Sequence, residues 1–221
     1  MKLSNLSFTY QDGDEVILKD ISLSFPNNGL VSLCGPSGSG KTTLLNIIAD
    51  LIEPSEGEIE NTEDVTYCTS EDLNINILSV LDNLALFSKN TEKIQEYLTL
   101  FKLDKLKKKT VKELSKGEQI RVTIIRTLLS DSKVLLFDEP SANLDEKTGE
   151  LVFSILQKEA ESRLIIIASH DINLAKKYSD EIYSLENCKL KLISKRERAF
   201  TNKNISQSDN STSYRLLLKY A

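Results

Sequence analysis

"LVSLCGPSGSGKTTLLNIIADLI", residues 30–52, carries three kinds of local order in one stretch. Leu30–Cys34 is a short apolar run, residues 35–40 hold three glycines, and residues 42–52 repeat their apolar positions at helical spacing. That succession predicts strand, glycine loop and helix. The loop satisfies G-x-x-x-x-G-K-[ST] with Gly35, Gly40, Lys41 and Thr42; Pro36, Ser37, Gly38 and Ser39 lie between, and Thr43 follows. Glycines let backbone N–H groups close around phosphate oxygens, and the helix N-terminus adds a favourable partial charge. Lys41 then reaches the β- and γ-phosphates and the Thr42 hydroxyl ligates Mg²⁺.

Outward from this loop, the other apolar runs fall into a matching order. "KLSNLSFTY" and "VILKDISLSF" alternate as two paired strands, with Asp12-Gly13 in the turn between them. Buried strands are expected at "VTYCT" (65–69), "KVLLFDE" (133–139), "RLIIIAS" (163–169) and "EIYSL" (181–185). Helical segments are expected near 79–87, 91–103, 115–130, 145–161 and 171–178. Continuous apolar strands joined by helices imply an α/β fold with a mostly parallel core sheet covered on both faces. The paired strands at the start make an N-terminal antiparallel β portion, and a helical subdomain is inserted at about 70–127.

Two further strand ends complete a candidate site. Asp138 and Glu139 close the run "KVLLFDE", placed for Mg²⁺ binding and for orienting or deprotonating an attacking water. His170, the single histidine, ends another buried strand, where open α/β sheets bind ligands, and is expected to touch the γ-phosphate. Taken alone, acids at a strand end and a lone histidine are commonplace; the glycine loop gives them their meaning.

Read in order, these residues resemble the ATP-binding-cassette (ABC) ATPases of the P-loop NTPase class. "LSKGEQIRV" (114–122) looks like the family's LSGGQ signature, "SANLD" (141–145) like its D-loop and "SHD" (169–171) like its switch region. Tyr10 stands where the family stacks an aromatic ring on adenine. The resemblance covers residues 1–193 as one ABC ATPase domain. It implies ATP and Mg²⁺ as cofactors and a head-to-tail pair of chains around two nucleotides. Lys41, Thr42 and Asp138 of one chain would hold each nucleotide, with Ser115 and Gly117 of the other capping it and Asp145 nearby. Two departures stand out: Lys116 replaces the first signature glycine, and Ser70, beside Glu71 in "CTSEDLN", falls where the family usually carries a glutamine.

Composition sets the surroundings. Net charge is −5, yet residues 186–221 carry eight Lys/Arg against three Asp/Glu, leaving the first 185 residues at −10. An acidic body argues against nucleic acid as a partner, because binding to a phosphate backbone needs clustered cations. The lysine-rich run 102–112 lacks interleaved aromatics and reads as a solvated helix end. No stretch approaches the roughly 20 apolar residues of a membrane span. Cys34, Cys68 and Cys188 are three in number, widely spaced and without a C-x-x-C pair, which fits a reducing compartment and apolar filler.

Residues 194–213 read as a polar linker and 214–221, "YRLLLKYA", as the start of an interfacial helix leading to a permease. Together with "FPNNGLVSLCGPSGSGKTTLLNIIADL" (25–51), which looks like cassettes of macrolide exporters and of fused cassette–permease proteins, the tail implies a membrane exporter. Its ATPase domain would lie on the cytoplasmic face, with a transmembrane permease and a second copy of itself as partners. A packing tail on a self-contained cassette, a single-cassette assembly ATPase and a non-hydrolysing regulatory cassette are the alternative readings.

Overall fold

The structure, a computed structural model, describes residues 1–10, 15–69 and 74–196. Among the described residues nine strands form two sheets. A three-stranded antiparallel sheet has β1 (Lys2–Thr9) at its centre, flanked by β2 (Val16–Ser24) and β4 (Glu56–Glu60). A six-stranded sheet runs β5 (Val65–Cys68), β6 (Val134–Asp138), β7 (Leu164–Ser169), β3 (Gly29–Cys34), β8 (Glu181–Glu186) and β9 (Lys189–Lys195). Its strands are parallel except for the antiparallel β8–β9 pair.

The central strands β3, β6 and β7 are buried along their whole lengths, and side-chain alternation divides them between two cores. Leu135, Phe137, Ile165 and Ile167 face α3 (Thr91–Leu100), α4 (Lys116–Leu128) and α5 (Glu146–Glu159). Val134, Leu136, Leu164 and Ile166 join a second core with α1 (Lys41–Ile48) and the antiparallel sheet. The same six-stranded sheet therefore locks the phosphate-loop helix to one face and the helical lobe to the other. Between β5 and β6 the described residues form no strand; α2 (Val80–Ala85), α3, two short 3-10 turns and α4 fill that interval. The last helix among the described residues, α6 (Ile172–Tyr178), precedes β8.

Several boundaries differ from those read in the sequence. The first helix stops at Ile48 and does not reach Ile52, because Asp50 turns left-handed (φ 58°) two residues past the helix end. Strands β4 and β9 are additional. Residues 194 and 195, expected in the polar linker, complete β9 opposite Ile182 and Glu181. The Asp12-Gly13 turn, the Ser70 position and the readings from residue 197 onward, including the interfacial helix at 214–221, lie outside the described residues. Among the described residues no helix is long and apolar enough to cross a membrane.

A buried polar bridge ties the helical lobe to the core. The Tyr97 hydroxyl of α3 donates to Glu159 Oε1 at 2.8 Å, and Arg163, ahead of β7, pairs with the other carboxylate oxygen. Arg163 also donates to the carbonyls of Leu128 and Ser130. Removing one partner of a buried ion pair leaves the other charge unpaired in a poor solvent. Glu159→Ala therefore lowers unfolding stability by about 3–5 kcal/mol, read as a drop in urea midpoint at unchanged slope. A loss below about 1 kcal/mol would assign the pair no more weight than an exposed one.

Candidate functional site

At the C-terminal ends of β3, β6 and β7 opens a cleft of about 780 Å³. Its walls are Tyr10, Ile17, Ser37, Gly38, Gly40, Lys41, Thr42, Thr43, Asp138, Glu139 and His170. Except for Ile17, each is a residue the sequence singled out. Ile17 lies in β2 and reads there as one more apolar strand residue, so nothing in the local pattern marks it.

The loop's shape follows from its glycines. Gly40 caps α1 at φ 97°, and a β-carbon there would stand 2.9 Å from Ile17 Cγ2. At Gly35 the added carbon would sit 2.5 Å from the Leu185 carbonyl, so the loop can lie on β8 only without a side chain. Lys41 folds back over this loop and donates to the carbonyls of Gly35 (2.9 Å) and Pro36 (3.0 Å). Of the three ammonium hydrogens, one remains for a ligand in the cleft. Ser39 Oγ is buried within the loop and makes no hydrogen bond.

Beside the loop, the Thr42 hydroxyl donates to Asp138 Oδ2 at 2.8 Å. The second oxygen, Oδ1, is buried and lacks a well-formed hydrogen bond, with the Tyr67 hydroxyl of β5 beside the carboxylate. Burial holds the Asp138 carboxyl above its usual range, with the bond from Thr42 acting in the opposite direction. A divalent cation next to Oδ1 would supply the counter-charge that water no longer provides. One hydroxyl and one carboxylate are the hard, sparse donors that suit Mg²⁺, which keeps several waters and takes its remaining ligands from phosphates. When bound, Mg²⁺ polarises phosphate oxygens and neutralises charge developing on them.

Glu139 is held in an uncommon backbone conformation, φ 51°, directly before Pro140. Its N–H donates to the Ala168 carbonyl of β7, and its own carbonyl accepts from Ala142, which turns the chain sharply at the strand end. A left-handed non-glycine residue costs about 1–2 kcal/mol, tolerated where the surroundings fix it. As a result the carboxylate points along the cleft rim, with Oε2 2.8 Å from His170 Nδ1 and 3.4 Å from the His170 N–H. His170 is 69% exposed, so its Nε2 is open to a ligand. At the other end of the cleft the Tyr10 ring meets Phe8 edge-on, with centroids 4.8 Å apart.

Three sequence candidates lie elsewhere. Ser115 caps α4, its hydroxyl and N–H both bonded to Glu118 in a capping box, and Lys116 beside it is exposed. Gly117 packs on the chain's own D-loop, where an added β-carbon would be 3.1 Å from Leu144 Cδ2. The Asp145 carboxylate caps α5 through the N–H and hydroxyl of Thr148, and these bonds hold its pKa below the ordinary value. None of the three lines the Lys41 cleft of its own chain.

Comparison with known proteins finds similar chains among ATP-binding cassettes. The profile of the ABC transporter family matches residues 18–142. An uncharacterized ABC transporter ATP-binding protein of Methanocaldococcus jannaschii, MJ0796, is 32% identical over 209 residues, spanning 80% of this chain and 89% of that one. The sulfate/thiosulfate import ATP-binding protein of Synechocystis is 35% identical over 211 residues, spanning 86% of this chain and 59% of that protein. Among solved structures, a dimeric post-hydrolysis state of MJ0796 bound to ADP and Pi superposes with a TM-score of 0.75 at 29% identity. That match covers 87% of this chain and 98% of that one.

Proposed function

The chain belongs to the ABC transporter family of ATP-binding cassettes, an ATPase that uses Mg²⁺, and on that premise we propose that two copies close head-to-tail around MgATP to drive a membrane transporter. One observation carries the proposal. Lys41, Thr42, Asp138, Glu139 and His170 converge on one cleft, whereas Ser115 and Gly117 do not line it. A second chain presenting its α4 N-terminus would complete the site, since backbone N–H groups at a helix start favour an anion. The dimeric form of the archaeal cassette supports this arrangement.

In this reading Tyr10 stacks on the base, residues 35–43 cradle the phosphates, and Thr42 and Asp138 hold Mg²⁺. Glu139 accepts the proton of the attacking water. His170, fixed through Nδ1, reaches the γ-phosphate with an Nε2–H donor when the ring carries both protons. Asp145 contributes by shaping the D-loop, since its carboxylate is already committed to Thr148. Hydrolysis removes the bridging γ-phosphate and lets the pair open.

In this reading the permease docks on the helical lobe, where Ile77, Leu86 and Phe87 are exposed apolar side chains. Export is part of the proposal on the strength of residues 25–51 alone; the cyanobacterial relative is an importer by name. An immunoblot of fractionated source cells tests the transporter reading. Recovery of the chain at the cytoplasmic face of the membrane supports it, with apparent mass distinguishing a fused from a separate permease. A wholly soluble band favours the assembly ATPase. Uptake into sealed vesicles with ATP outside, as against loss from them, decides direction.

A further inference from the structure

Tyr10 is the last described residue after β1, and its ring is half exposed, yet its position is fixed at two points. Phe8 packs on the ring in a T-shaped contact, with centroids 4.8 Å apart and an interplanar angle of 89°, and Tyr10 lines the cleft. The hydroxyl lies 3.1 Å from Thr43 Oγ1. Thr43 sits in the first turn of α1, two residues beyond Lys41, and is itself buried. The ring that would take the base is thus bonded directly to the helix that carries the phosphate loop.

We propose that the Tyr10 hydroxyl is a positioning group that couples base recognition to phosphate recognition by holding its ring in register with Thr43. The inference rests on the reading of Tyr10 as the base-stacking residue. Stacking alone needs only a flat face, and phenylalanine would serve it equally. A tyrosine whose hydroxyl is anchored gives more: the ring is pre-organised against the helix that carries the phosphate loop. The entropy of fixing an exposed side chain is then spent on folding and not on binding.

A hydrogen bond of this kind contributes a factor of about three to ten in affinity. The experiment compares equilibrium binding of ATP and of inorganic tripolyphosphate, both with Mg²⁺, by calorimetry on the full chain. Tyr10→Phe should weaken ATP about three- to tenfold and leave tripolyphosphate unchanged. Thr43→Val should weaken both, and adding Tyr10→Phe to it should bring no further loss for ATP, the non-additivity expected of residues acting through one bond. Thr43→Ser, which keeps the hydroxyl, should restore the sensitivity to Tyr10→Phe.

Two results would overturn the inference and leave stacking intact. One is a Tyr10→Phe chain that binds ATP like the parent while Tyr10→Ala does not; the other is additive loss in the double variant. A Tyr10→Ala chain that keeps full ATP affinity would overturn the stacking reading itself, and the inference with it.

Discussion

Glu139→Gln lowers ATP turnover by about 10²–10⁴-fold, the range associated with a general base, while ATP binding persists. The amide keeps the size of the carboxylate and can still accept a bond from the His170 ring, 2.8 Å from Oε2 in the parent. It cannot take a proton from water. The backbone at residue 139 is held by the Ala168 carbonyl and by the turn to Ala142, neither of which involves the side chain, so the loop survives the substitution. Phosphate release per chain with saturating MgATP measures the effect. A parent rate indistinguishable from that of the variant would mean a regulatory cassette that binds without turning over.

The second large effect is expected at Lys41. Its ammonium is the one lysine or arginine cation among the residues lining the cleft, and it lies close to the phosphate loop carbonyls that it bridges. Lys41→Ala removes the charge-assisted bond that its remaining ammonium hydrogen gives to phosphate, about 1.5–3 kcal/mol, and also the two bonds that keep Gly35 and Pro36 in place. Affinity for ATP should fall about 10- to 150-fold, with hydrolysis falling in proportion or further. Titration with a fluorescent ATP analogue reads this directly. A loss under threefold would mean that the backbone N–H groups of the loop and the helix N-terminus suffice.

What the sequence displayed and what it concealed have separate physical causes. Strands β3, β6 and β7 are buried on both faces, so their apolar runs are continuous and stand out. The antiparallel pair β1–β2 alternates with period two because one face is wet. Strand β4 is different: four of its five residues are exposed, three are glutamates, and its place comes from pairing with the backbone of β1. No pattern in "EGEIE" announces that. Strand β9 did carry a signal in the alternation of Leu190 and Leu192, but the hairpin turn before it is Asn187-Cys188, both left-handed, with cysteine where glycine is the usual residue.

At the site, motif spacing found the loop and the three residues at two strand ends, Asp138, Glu139 and His170, because each has a chemical requirement that few side chains meet. Ile17 was invisible, since its contribution is a methyl surface that any core residue could supply. The left-handed turn at Glu139 was equally hidden; "DEP" suggests a bend, but only the bond from Glu139 N–H to β7 defines its hand. Ser115, Gly117 and Asp145 illustrate a third case. Their motifs are legible, but their partners in one chain are Glu118, Leu144 and Thr148, so a role at ATP depends on a surface that a single chain does not bring to its own cleft.

Sedimentation of the Glu139→Gln chain with and without MgATP therefore tests the central claim most directly. With the nucleotide trapped, the mass should double from 24.9 kDa to about 50 kDa, and substituting Ser115 with Arg should abolish the doubling without loss of ATP binding to the chain. A chain that binds MgATP and stays at 24.9 kDa would contradict the account.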